Sequence, residues 1–222
     1  MSSSPYTNQT DVQAHRHAQF SPPPALIACA VTASLMCLAS PASAHSGTGL
    51  AGGFGSGFLH PLTGWDHLLA MVSVGLWGAI LGRPLIVALP VIFPAMMVVG
   101  AFFGILHVPM PPVEIGIAVS VLVLGSVIAL GYRAPVWLAC GIVALFALFH
   151  GYAHGNELPS AADPVGYSTG FVLSTGLLHV CGIGIGLINE RKVGPVDGKL
   201  IVKALGGIIG AAGLVFLYQA VF

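Results

Sequence analysis

LIVALPVIFPAMMVVGAFFGIL, residues 85–106, contains no Asp, Glu, Lys or Arg and matches the ~20 residues an α-helix needs to cross a bilayer. Five more largely hydrophobic stretches of similar length lie around it, at about 64–82, 113–131, 135–153, 165–189 and 199–221. Helix-breaking punctuation separates them: Arg83-Pro84, Pro109 to Pro112, Arg133-Ala134-Pro135, Pro159 to Pro164, and Gly194-Pro195. Composition agrees, with 56% hydrophobic and 6% charged residues against roughly 25% charged in a soluble domain. So few charges could not keep a folded surface in water. The fold class is therefore an all-α membrane protein with six transmembrane helices.

An N-terminal signal peptide is expected before them. Ala25–Ala39 is an apolar run of signal length, followed by Ser40-Pro41 and the A-x-A pattern Ala42-Ser43-Ala44. The chain thus divides into a cleavable leader, 1–44, and a single six-helix domain, 45–222. Between them the glycine-rich stretch Gly47 to Gly57 reads as too flexible for a stable element. The four cysteines show no C-x-x-C spacing, so neither a disulfide framework nor a thiolate zinc site is indicated. Net charge is zero and no basic patch suggests nucleic acid.

Basic residues set the orientation. With His45 outside after cleavage, Arg83, Arg133, Arg191, Lys192, Lys199 and Lys203 all fall on the cytoplasmic side. Both mature termini are then periplasmic, in a bacterial inner membrane. Ionisable residues collect on the other face: His45, His60, Asp66, His67, His107, Glu114, His150, His154, Glu157 and Asp163. This reads as an acidic, imidazole-rich outer vestibule. His179 differs, lying about fifteen residues into the fifth span, which at ~1.5 Å per residue places it near the midplane.

Imidazole nitrogen with carboxylate oxygen suits nickel, cobalt, zinc or copper better than magnesium or calcium. The densest cluster is His60-Pro61-Leu62-Thr63-Gly64-Trp65-Asp66-His67, with Asp66 and His67 in a first helical turn. In the second, His150-Gly151-Tyr152-Ala153-His154-Gly155-Asn156-Glu157, the histidines are four apart, share a helix face, and could chelate one ion, with Glu157 beyond the helix. Bland alternatives exist. Asp66 or Glu114 can simply favour a helix start, His107 and the helix-end histidines can be interfacial, and His179 can be a hydrogen-bonded core histidine. Cleavage after Ala44 would give His45 a free amine beside its imidazole, a bidentate ligand.

These motifs resemble the HupE/UreJ family of bacterial membrane proteins. The likeness rests on His60-Pro61-x-x-Gly64-x-Asp66-His67, on His150-Gly151-x-Ala153-His154-Gly155-x-Glu157, and on Leu178-His179, and covers about 45–222. The first motif also looks like the H-x4-D-H signature of other nickel/cobalt permeases, although five residues separate His60 from Asp66 here. The resemblance implies a secondary permease supplying nickel to hydrogenase or urease, with a cleaved signal and six helices. On that basis the candidate metal residues are His60, Asp66, His67, His150, His154, Glu157, His179, Glu114 and His45. The cargo is Ni2+, with Co2+ the alternative. No prosthetic group and no catalytic residue is expected, and hydrogenase or urease maturation proteins are candidate partners. Other readings are a metal-handing accessory protein without transport, a haem-binding electron-transfer protein, and a membrane metallohydrolase using Glu114 or Glu157 as base.

The orientation is testable. In a chain cleared of its own cysteines, Ser160→Cys should react with an impermeant thiol reagent added from the periplasmic side. Reaction only after the inner membrane is opened would reverse the topology.

Overall fold

The computed structural model describes residues 53–158 and 163–222. Seven helices make up the described fold: α1 Gly53–Thr63, α2 Trp65–Leu81, α3 Leu85–Ile105, α4 Val113–Leu130, α5 Val136–Glu157, α6 Pro164–Gly186 and α7 Gly198–Val221. Five of them, α3 to α7, are each long and apolar enough to cross a membrane. α1 and α2 pass the same test only as a pair, bent by 78° at the break around Gly64, which makes them a broken span or a re-entrant loop. The leader, its cleavage site and His45 lie outside the described residues.

Local chemistry stops each helix where the sequence changes. The backbone of Gly131 is left-handed (φ 65°), and its N–H closes onto the Ile128 carbonyl at the end of α4. Asp163 caps α6 by accepting a bond from the Gly166 N–H at 2.9 Å, and Pro164 fills the first helical position. Beyond α6 a 3-10 turn, Leu187–Glu190, leads into a small hairpin pairing β1 (Lys192–Val193) with β2 (Val196–Asp197) about Gly194-Pro195. The expected fifth helix to 189 therefore ends as α-helix at Gly186.

Packing follows three long seams, α3 parallel to α5, α2 parallel to α6, and α4 antiparallel to α7, with α1 lying against the N-terminal part of α6. Each seam is built on glycine. On α3, Gly100 and Gly104 face the carbonyls of Leu148 and Tyr152, while on α5 Gly151 and Gly155 face those of Met97 and Ala101. A Cβ at any of the four would collide with the opposing backbone. Gly125 of α4 meets the Gly210 backbone of α7 in the same way. In lipid, where burying apolar surface gives no net drive between helices, such close van der Waals approach is a main source of association. Large apolar side chains such as Val87, Val98, Phe102, Leu177 and Leu214 are exposed around the outside, where acyl chains would contact them. Inside, Trp77, Phe93, Leu124 and Ile128 belong to one buried core.

Two expectations are corrected. Gly53 to Gly57 is helical and belongs to α1. Gly57 is there because the Tyr167 carbonyl of α6 occupies the space its side chain would need, and Gly170 of α6 stands against the Phe54 carbonyl in return. Interhelical contact thus outweighs the low helix propensity of glycine. The fourth span also continues past 153 to Glu157, so Glu157 lies within α5 rather than beyond it.

Gly155→Leu should lower the thermal unfolding midpoint of the detergent-solubilised protein sharply or abolish its monodisperse peak. Gly141→Ala, on the same helix with open space around its Cβ, should be neutral or stabilising by up to about 1 kcal/mol. Equal behaviour of the two would refute the seam.

Candidate metal centre

The break between α1 and α2 assembles the site. His60 lies in the last turn of α1, the chain turns at Gly64, and Asp66 and His67 open α2. α5 brings His150 and His154, one turn apart. α6 adds Tyr167 and Phe171 near its start and His179 deeper down.

All five polar residues of the two motifs' centre are buried: His60, Asp66, His67, His150 and His154. Where a vestibule was expected, these side chains form a buried centre. The physical reason is that Tyr167 and Phe171 cover it, with the His60 ring 6.0 and 5.9 Å from theirs and the His154 ring 4.5 Å from Phe171. Among the described residues, His60, His67 and His154 offer ligand atoms that all lie within 4.8 Å of one another. Metal–nitrogen bonds of about 2.0–2.1 Å set adjacent ligand nitrogens roughly 3 Å apart, so side-chain adjustment alone would bring the three onto one ion.

Asp66 orients this set. Its Oδ1 accepts both the backbone N–H and the Nδ1–H of His67, each at 2.8 Å. With Nδ1 protonated, a neutral His67 must present the lone pair of Nε2, the arrangement by which carboxylates hold metal-binding histidines. That Nε2 lies 2.8 Å from Nε2 of His154. Two ring nitrogens at this separation share either a proton or a cation. Asp66 thus acts through His67 rather than as one of the three converging ligands.

His150 sits elsewhere than the chelating-pair reading placed it. Its ring is 5.0 Å from that of His67, and its Nδ1–H donates to the Phe146 carbonyl at 3.1 Å. It lies beside the three-histidine group and next to Phe93, whose ring is 5.5 Å away. Phe93 is equally 5.5 Å from His179. Histidines and one phenylalanine therefore form a continuous row from His60 to mid-bundle. Glu114 is exposed in the first turn of α4 and Glu157 is half-buried at the end of α5. The charges of both act on the His67 ring, so they border the centre from outside. His107 is exposed, with its Nδ1 3.1 Å from Asn156 Oδ1, and Asp163 serves as the α6 cap.

Tyr167, Phe171 and Phe93 were not singled out from the sequence. A signal exists for two of them: Tyr167, Phe171, Thr175 and His179 recur every fourth residue, one polar-aromatic face of α6. Beside this face, α3, α5 and α6 border a half-open pocket of about 90 Å³ lined by Met97, Ala101, Gly151, His154 and Phe171, among others.

A multi-span helical membrane protein with a buried histidine cluster at a broken helix is the class that fold and site define. The chain matches the family described as HupE / UreJ protein over residues 33–216. It is 39% identical over 188 residues to the Protein HupE of Rhizobium leguminosarum bv. viciae, covering 84% of this chain and 96% of that one. The chain belongs to the HupE/UreJ family. No solved structure matches it.

Nickel binding to the purified protein, measured by equilibrium dialysis, should weaken by about 10–100-fold in Asp66→Asn, which removes the charge orienting His67. His67→Gln, which deletes a candidate ligand, should lose more. Unchanged affinity in His67→Gln would remove this cluster from metal binding.

Proposed function

We propose that the protein is a secondary permease of the bacterial inner membrane that takes up a divalent transition metal, nickel foremost, from the periplasm. One observation carries the reading: three histidines from α1, α2 and α5 converge at a helix break inside a membrane-spanning bundle. Broken helices at membrane depth are where transporters bind ions, because their ends offer polar backbone that a continuous helix conceals. Three imidazoles select a borderline transition ion over magnesium or calcium. Membership of the family supports hydrogenase or urease as the consumer of the metal, with cobalt the alternative cargo.

Transport, rather than storage or hydrolysis, is favoured by the row His154, His67, His150, Phe93, His179 leading inward. The chain has no G-x-x-x-x-G-K-[ST] loop, so it does not power uptake with ATP by itself. The membrane potential supplies ~2.3 kcal/mol per charge per 100 mV to an incoming cation, twice that for a dication. On this reading the signal is removed after Ala44, 45–222 is one domain with both ends periplasmic, and His45, Glu114 and Glu157 attract the ion before His60, His67 and His154 bind it.

Radioactive nickel accumulation by cells expressing the protein, normalised to protein in the membrane, provides the test. His154→Ala and His67→Gln should accumulate in the membrane normally but lose uptake at limiting nickel by about tenfold or more, with partial recovery at high concentration. Near-wild-type uptake by both would sink the permease reading, as would wild-type uptake no higher than that of cells lacking the protein.

A further inference from the structure

Below the three-histidine centre lies a second buried imidazole. His179 is 1% exposed and touches Phe93 edge-on, with Phe93 between it and His150. Neither of its ring nitrogens makes a formed hydrogen bond among the described residues. A polar group left so in the interior of a membrane protein is costly, and its retention calls for a ligand. Thr175, one turn outward on the same face, and Ser174 beside it bury hydroxyls in the same condition.

The opposing helix supplies a complementary group. In α3 the Pro90 carbonyl would ordinarily accept the N–H of residue 94, but residue 94 is proline and has none. Pro94 therefore releases the Pro90 carbonyl from the helical ladder. The same stretch of α3 lies beside the His179 ring, since Phe93 meets it edge-on with centroids 5.5 Å apart, and neither ring nitrogen is taken by a formed bond. The α6 backbone is held at this level by Gly75 of α2, where a Cβ would run into the His179 carbonyl.

We propose that His179 and the Pro90 carbonyl form a second, weaker cation station at mid-bundle, which receives the divalent transition metal ion from the outer centre. This rests on the permease reading above. Imidazole nitrogen keeps the preference for a transition metal, while a backbone carbonyl replaces part of a hydration shell as in ion-selective pores. Both donors are neutral and only two, so they hold the ion less firmly than three imidazoles oriented by Asp66. Conduction needs that descent in affinity, since an ion held tightly at mid-membrane would not leave.

Purified full-length protein titrated with Ni2+ in detergent should show one tight and one weaker equivalent. His179→Ala should keep the tight equivalent and lose the weak one. In cells its maximal nickel uptake should fall about tenfold or more and stay low at high external nickel, where outer-centre variants recover. A weak equivalent that persists in His179→Ala, or near-wild-type maximal uptake, would overturn the station. If His179→Ala also loses the tight equivalent, Pro94→Ala decides, because it returns an N–H to the Pro90 carbonyl and alters no imidazole. Weaker second-site binding with the tight site intact supports the proposal, and unchanged second-site binding overturns it. Failure of the permease reading is distinguishable: there His154→Ala would leave the tight equivalent and uptake untouched.

Discussion

Backbone-to-backbone contact at glycine is the constraint on which the bundle depends. Where Gly151 and Gly155 press against the carbonyls of Met97 and Ala101, α5 has no freedom to slide or roll on α3. Their sequence neighbours His150 and His154 are rotated ~100° around the same helix, toward α2. The glycine face and the histidine face of α5 are thus two sides of one device. Adding a single methyl at position 155 would move α5 away from α3 and carry His154 with it. The same logic holds on α6, where Gly170 and Gly182 seat the helix against α1 and α2 while Tyr167, Phe171 and His179 occupy its buried face.

Much of this was legible in the chain. The uninterrupted run 85–106 and its companions announced spans, because hydrocarbon admits few unpaired charges, and the described helices follow them closely. The histidine motifs also stood out, since charged or imidazole side chains are rare in such surroundings. α1 was not legible. Its glycines signal flexibility when read locally, and only the presence of α6 against them makes a helix the better state. The reach of the second motif was misjudged for a related reason: Gly155 looks like a helix end but is a contact point, so α5 runs on to Glu157.

The histidines that cluster stand out in the sequence better than their arrangement does. Spacing of four pairs His150 with His154 on one face, yet the shortest approach joins His154 to His67 across two elements, at 2.8 Å. His60 comes from a separate helix altogether. Such cross-element distances depend on the 78° bend at Gly64, which no periodicity encodes. The aromatic cover is a tertiary property too. Tyr167 and Phe171 share a repeating face with Thr175 and His179, but only folding shows that this face closes over His60 and His154 and makes a buried chamber where a vestibule was expected.

The tie between Asp66 and His67 has a consequence for how firmly any cargo could be kept. Of the groups buried at the centre, Asp66 alone carries a full negative charge when the imidazoles are neutral. A dication seated on the three histidines would therefore leave the chamber with a surplus of one positive charge. In oxygen-ligand calcium sites, affinity rises with the number of carboxylates around the ion. Here the remaining carboxylates, Glu114 and Glu157, stand at the rim. A loaded centre would keep a net positive charge, so it holds the ion less firmly than a site with a second buried carboxylate would.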